Sequence, residues 1–272
     1  MRALLLVAAL LVFLAGLQLT VFTTRTADWF AWTIDVPMTA VFLGAAYWSS
    51  AVLEVAGARS PGWGRARLTV WTVLVFTTLT LVVTLVHLER FHLGAGHPTS
   101  ARLVTWGWLA IYAGVPVAMV LGLVVQARVP RGPDVVRTSL PAALQWLLVL
   151  LALVLVGTGV ALLAAPERAS EVWAWPLTPL TARAVGAWLV GLGWAAAHAR
   201  LVDDAGQVRP LGWTGAAFVV LQVVALARHG DALDRTGWQA AAYVAALAWI
   251  AVVSAWILAL RGGGAAVRGS SR

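Results

Sequence analysis

Two clusters of side chains able to do chemistry stand in this chain, His87, Glu89, Arg90, His92 and His97 in one and Arg228, His229, Asp231 and Asp234 in the other. Imidazoles and carboxylates at this density can ligate a metal or move protons, and arginine beside them can hold an anion. Glu89 and His92 have the Glu-x-x-His spacing of di-iron bundles. Such a site needs a second copy of the motif and further carboxylates inside the bundle, and the chain supplies neither. His87, His92 and His229 are the remaining trio for a metal, but their positions favour interfacial imidazoles bonded to water, loops and acids. No histidine pair lies at mid-depth for bis-histidine haem. With no cysteine there is no thiolate zinc, Fe–S cluster or cysteine nucleophile. With no lysine there is no Schiff base and no Walker-type phosphate loop. Nothing resembles a nucleophilic triad or an EF-hand, so no catalytic and no metal-ligating residue is assigned, and the cofactor stays open.

A second pattern is a polar stripe. Thr77, Thr80, Thr84 and His87 stand at i, i+3, i+7 and i+10, one continuous helical face. Gln222 and His229 are seven apart, and Gln222 matches Thr84 when Arg90 and Arg228 are aligned. Groups at this spacing bond across helices or back to their own backbone; the alternative is the lining of a path for protons, water or a small ligand. Charged groups fall at helix rims. Counting residues places Glu54 and His198 near the inner ends of their spans and Arg183 near the outer end of its own, where long side chains snorkel to water.

The elements that must position these groups are membrane helices. The chain of 272 residues is 61% hydrophobic and 11% charged, against roughly 45–50% and 25% in soluble proteins. Apolar runs of spanning length lie at 3–22, 37–57, 68–88, 103–125, 142–164, 180–201, 211–229 and 238–260. Prolines and glycines separate them, Pro210 among these, and Pro116 marks a kink within the fourth. The first run is too long for a signal peptide and lacks a cleavage site, so it is read as a span. Backbone in lipid must satisfy its own hydrogen bonds, which makes these runs helices. The predicted fold class is an all-α integral membrane protein of eight transmembrane helices. If the amino terminus is inside, the inner segments hold 12 of the 19 arginines and the whole net charge of +8. That asymmetry predicts a plasma-membrane protein with both termini cytoplasmic. The basic balance then reports orientation and contact with anionic lipid, and membrane lipids rather than nucleic acid are the expected partners.

The chain also repeats itself. FAWTIDVPMTAVFLGA at 30–45 matches WAWPLTPLTARAVGA at 173–187 once Val36 is set aside. The shared residues are Ala31/Ala174, Trp32/Trp175, Pro37/Pro179, Thr39/Thr181, Ala40/Ala182, Gly44/Gly186 and Ala45/Ala187. Gly16 and Gly159 each precede the matched tryptophan by the same interval. Leu88–Arg90 matches Leu226–Arg228, and Gly107-Trp108 with Tyr112 matches Gly237-Trp238 with Tyr243. Duplication of a four-span unit returns the chain to its starting side, which predicts a 4+4 parallel internal repeat. Residues 1–126 form the first repeat, 127–141 a cytoplasmic linker, 142–260 the second repeat and 261–272 a cytoplasmic tail. The two matched runs resemble a family of multi-pass membrane proteins of high-GC bacteria, of actinobacterial type. That resemblance implies no activity, since no function is assigned to the family.

Three functions compete. The leading one is a non-enzymatic membrane module. It binds an apolar or amphiphilic ligand, lipid or quinone-like, at the outer leaflet, or serves as a subunit of a larger membrane complex. Trp29, Trp32, Trp173 and Trp175 would supply apolar walls for the ligand, and Arg90 and Arg228 would hold its headgroup. The second is a transporter or channel with a path between the repeats, along Thr77, Thr80, Thr84, His87, Gln222 and His229. The third is an enzyme acting on lipid or quinone, with His87, His92, Arg90 or Arg228 as acid/base or anion-binding groups. The topology is testable because the chain has no cysteine of its own. With single cysteines at Ser60, Ser170 and Ser270, only Ser170→Cys should react with an impermeant reagent in intact cells. Labelling at Ser60→Cys would invert the arrangement.

Overall fold

The computed structural model describes residues 2–60, 62–128 and 137–260, with Arg65 through its backbone alone. Ten α-helices follow one another among these residues. They are α1 (Arg2–Val21), α2 (Thr26–Trp29), α3 (Pro37–Arg59), α4 (Trp63–Val86), α5 (Thr99–Ala127), α6 (Ala142–Ala164), α7 (Pro166–Ser170), α8 (Pro179–Val202), α9 (Ala205–His229) and α10 (Gln239–Ala259). Eight are long and apolar enough to cross a membrane; α2 and α7 are short helices in the loops. Most of the expected linker at 127–141 and the whole tail at 261–272 lie outside the described residues. As crossings, the eight helices bring the start of α1 and the end of α10 to one face, the terminal face. The tryptophan segments lie at the other, the far face.

Local chemistry sets the helix ends. Pro37 and Pro179 occupy the first turn of α3 and α8, where a missing N–H costs nothing. Thr178 and Thr181 form a reciprocal capping box at the start of α8. Asp203 ends α8 in the left-handed region, with φ 47°. Its Oδ1 accepts from Leu140 N and Gln145 Nε2, both at 2.9 Å, which ties the approach to α6 onto the end of α8. Asp204 caps α9, accepting from Gly206 N at 3.1 Å. That cap starts α9 at Ala205, so Pro210, read as a separator, lies inside the helix.

The helices pack in a regular pattern. α1 lies on α3 and α6 on α8; α5 lies on α4 and α10 on α9; and α3 meets α9 as α4 meets α8. The central helices α3 and α8 have 67% of their crossing residues buried, against 22% in α10 and 28% in α1 and α5. The peripheral helices turn residues such as Leu103 (68% exposed) and Leu153 (65%) outward, an apolar surface suited to lipid and not to water. Two glycine crossings hold the centre. A Cβ on Gly186 would lie 2.7 Å from Gly159 O, and one on Gly44 would lie 3.3 Å from Gly16 O. Alanine at Gly186 should therefore destabilise the protein by about 1–3 kcal/mol. Alanine at Gly107, which meets open space, should be neutral or gain up to about 1 kcal/mol. Thermal unfolding of both variants in detergent tests this; equal melting temperatures would contradict the crossing.

Candidate functional site

At the far face, backbone hydrogen bonds fix both tryptophan segments. Ala31 O accepts from His92 N and Ala174 O from Asp234 N, each at 3.0 Å. Trp32 and Trp175 are thereby drawn into the core, 3% and 1% exposed. Trp32 packs edge-on against Trp108 at 5.0 Å, and Trp175 edge-on against Tyr243 at 5.1 Å. Trp108 Nε1 donates to Thr84 Oγ1 at 3.0 Å, and Tyr243 OH donates to Gln222 Oε1 at 2.8 Å. Trp108 and Tyr243 thus do the same work. Trp238, by contrast, is 63% exposed and precedes α10.

The remaining amphiphile-binding residues do not gather around one space. Trp29 is 38% exposed and stacks on Phe22. Trp173 packs against Trp175 and Tyr243. Arg90 is exposed beside Glu89 at 3.7 Å, whereas Arg228 Nη1 donates to Thr20 O of α1 at 2.9 Å. The histidines have local partners. His92 Nδ1 lies 2.9 Å from Phe30 O and its Nε2 3.0 Å from Thr33 Oγ1. His87 Nε2 accepts from Arg183 Nη1 at 2.7 Å, so Arg183 reaches across to α4 instead of snorkelling. Among the described residues, no three histidine or acidic side chains converge as metal ligands would.

The polar stripe faces the interior. Thr77, Thr80 and Thr84 are buried and bond back to Val73 O, Phe76 O and Thr80 O at 2.8, 2.9 and 2.7 Å. Gln222, fully buried, donates to Phe42 O of α3 at 3.2 Å. His229 ends α9 at the far face, with Nε2 buried and unpartnered among the described residues. Thr80 and Thr84 line a cavity of about 10 Å³, room for a single water. Trp32, Tyr47, Trp108 and Trp188 close it. Beneath it, Tyr47 OH and Tyr112 OH are 2.8 Å apart, both buried.

Sequence reasoning missed the central residue of this seam. Glu54 is 2% exposed; it points inward and does not snorkel from the rim. Its Oε2 and the Thr72 Oγ1 of α4 have no hydrogen-bond partner among the described residues. Both border a second cavity of about 30 Å³ between α3, α4, α8 and α9. The signal was present in the spacing: Tyr47, Ser50 and Glu54 stand at i, i+3 and i+7, the same stripe that the threonines make on α4. Depth alone had placed Glu54; its helix face places it correctly. Comparison with protein-family models, curated proteins and solved structures finds no match to this chain.

The far-face mouth of the seam is sensitive to pH. Burial, and then the Arg183 guanidinium, hold the His87 imidazole below its ordinary range, with Glu89 opposing. The unfolded chain takes up a proton near about pH 6.5 that the folded chain refuses. The His87 contribution to stability is therefore complete above that pH and is lost as the pH falls through it towards the lower folded value. The His87 resonance should titrate below about pH 6.5, and His87→Gln should lose less melting temperature on acidification than the parent. A His87 signal titrating above its ordinary range would contradict the Arg183 contact.

Proposed function

We propose that this chain is a non-enzymatic multi-pass protein of the plasma membrane, made of two parallel four-span repeats, that carries a small polar solute along the seam between them. The observation that carries the reading is the cavity between α3, α4, α8 and α9, where the Glu54 and Thr72 oxygens lack partners. An ionisable group buried at membrane depth is costly, and such groups mark solute pathways and proton relays. Polar groups recur from there towards the far face: the Tyr47–Tyr112 pair, the water-sized cavity with Thr80 and Thr84, and His87.

Duplication is supported by the pairing of helices. Each contact of the first four spans has a counterpart in the second four: α1 on α3 with α6 on α8, α4 on α5 with α9 on α10, and α3 on α9 with α8 on α4. The matched glycines meet each other within each half, and the matched alanines 31 and 174 accept the same kind of backbone bond. Both termini are assigned to the cytoplasm on the arginine excess of that face. An amphiphile site at Arg90 and Arg228 has less support, since one arginine sits beside Glu89 and the other holds a carbonyl of α1.

Flux into vesicles containing the purified protein tests the proposal. Protons, water or sodium should cross faster than in empty vesicles, and Thr80→Leu, which fills the upper cavity, should return the rate to the empty-vesicle leak without lowering thermal stability. Flux of all three at the empty-vesicle level in the parent protein would contradict it.

A further inference from the structure

We propose that Glu54 is a proton-binding site inside the membrane and that the Tyr47–Tyr112 hydroxyl pair is the next proton carrier along the seam. The binding half stands on the cavity itself, whereas the carrier half rests on the transport reading above.

The cavity around Glu54 is built for a neutralised carboxyl. Among the described residues no cation pairs with it; the ion pairs join Arg25 to Asp28 and Glu89 to His87 and Arg90. An ionised carboxylate buried without a partner is strongly disfavoured, and the group takes up a proton instead. The Ser50 hydroxyl, one turn earlier on α3, donates to Tyr47 O at 3.0 Å and lines the same cavity as the carboxyl. The remaining oxygen, Oε2, shares the cavity with Thr72 Oγ1, and the space holds about two waters. A protonated Glu54 gains the donor that Thr72 or such a water can accept. The other hydroxyls of the lining, Ser49, Ser50 and Thr214, donate to carbonyls of their own helices at 2.8, 3.0 and 3.0 Å.

The neighbours define what can exchange that proton. On α3 it is Tyr47, two turns before Glu54 on the same helix face, and on α5 it is Tyr112, 2.8 Å from the Tyr47 hydroxyl. α4 presents Thr72 and, nearer the terminal face, Arg67. α8 presents His198 close to that arginine, and α9 lines the cavity with uncharged Leu211 and Thr214. A hydroxyl accepts an incoming proton on its oxygen while releasing its own to the next acceptor. One proton leaving Glu54 Oε2 for a water of its cavity is relayed through the tyrosine pair to a water in the upper cavity that Tyr47 lines, with both tyrosines unchanged in charge, and the carboxylate left behind takes up the next proton. The fold itself does not require an acid here. In the register that joins Gly44 to Gly186, the position matching Glu54 is Ala196, which is buried.

Infrared difference spectroscopy on the protein in lipid vesicles reads the binding site directly. At neutral pH the parent should show a protonated-carboxyl C=O band, absent in Glu54→Gln and shifted in Glu54→Asp, and indifferent to sodium. No band difference between parent and Glu54→Gln, or a band abolished by added sodium, would overturn the proton site. Proton flux reads the carrier. Tyr47→Phe/Tyr112→Phe should keep the Glu54 band and cut proton flux by about a hundredfold, the low end of what a positioned proton donor contributes. Unchanged flux in that double variant would overturn the carrier role. A Glu54 band in a parent protein that moves no solute would support the binding site and reject the transport reading.

Discussion

A Cβ on Gly186 would sit 2.7 Å from the Gly159 carbonyl oxygen, closer than such atoms pack, so α6 and α8 meet backbone to backbone. α1 and α3 also approach closely: a Cβ on Gly44 would meet the Thr20 side chain and lie 3.3 Å from Gly16 O, while Gly16 makes room for the Trp48 ring. Between membrane helices there is no hydrophobic drive, and close packing of small residues supplies the association. These two crossings seat α1 and α6 against one side of α3 and α8. The other sides stay free to meet α9 and α4, and the Glu54 cavity forms where those four helices converge. The tryptophan segments follow from the same constraint. The loops that lead into α3 and α8 are pinned by backbone bonds at Ala31 and Ala174, which turn Trp32 and Trp175 inward.

The interior made this way is aromatic and largely dry. Trp188 lies on Phe76 at 3.9 Å and edge-on to Tyr47 at 5.0 Å, so the walls of the seam are rigid rings. Polar groups there mostly have partners: the threonines use their own helix, and Gln222 uses Phe42 O and Tyr243. A buried polar group without a partner is destabilising by roughly 1–3 kcal/mol. Glu54 Oε2 and Thr72 Oγ1 lack partners together and in one cavity, where a water or a shared proton would serve both.

Spans and their order were legible because lipid leaves helices as the one way for such apolar runs to satisfy their backbones. Matched residues such as Gly44 and Gly186 could be found in the sequence because a backbone crossing tolerates no side chain. Side-chain direction was harder. Trp32 and Trp175 read as walls of an outer-leaflet ligand site, since composition cannot tell a tryptophan facing a ligand from one folded beneath its own loop. Glu54 was placed by counting residues along α3, which measures depth but not face. Arg183 read as a snorkelling rim residue, and its partner His87 lies 96 positions earlier in the chain, beyond any local pattern. Asp204 moved the start of α9 ahead of Pro210 because a cap outweighs a proline in the second turn.

The proposed proton site is a neutral, protonated carboxyl at Glu54, which is 2% exposed. An apolar carbodiimide partitions into lipid and adds only to a protonated carboxyl, so peptide mass spectrometry after treatment at neutral pH addresses that claim among the chain's 11 acids. The expected result is modification at Glu54 by the apolar reagent and none there by a water-soluble carbodiimide. Modification confined to loop acids such as Glu89 and Glu167, with Glu54 untouched by the apolar reagent, would contradict it.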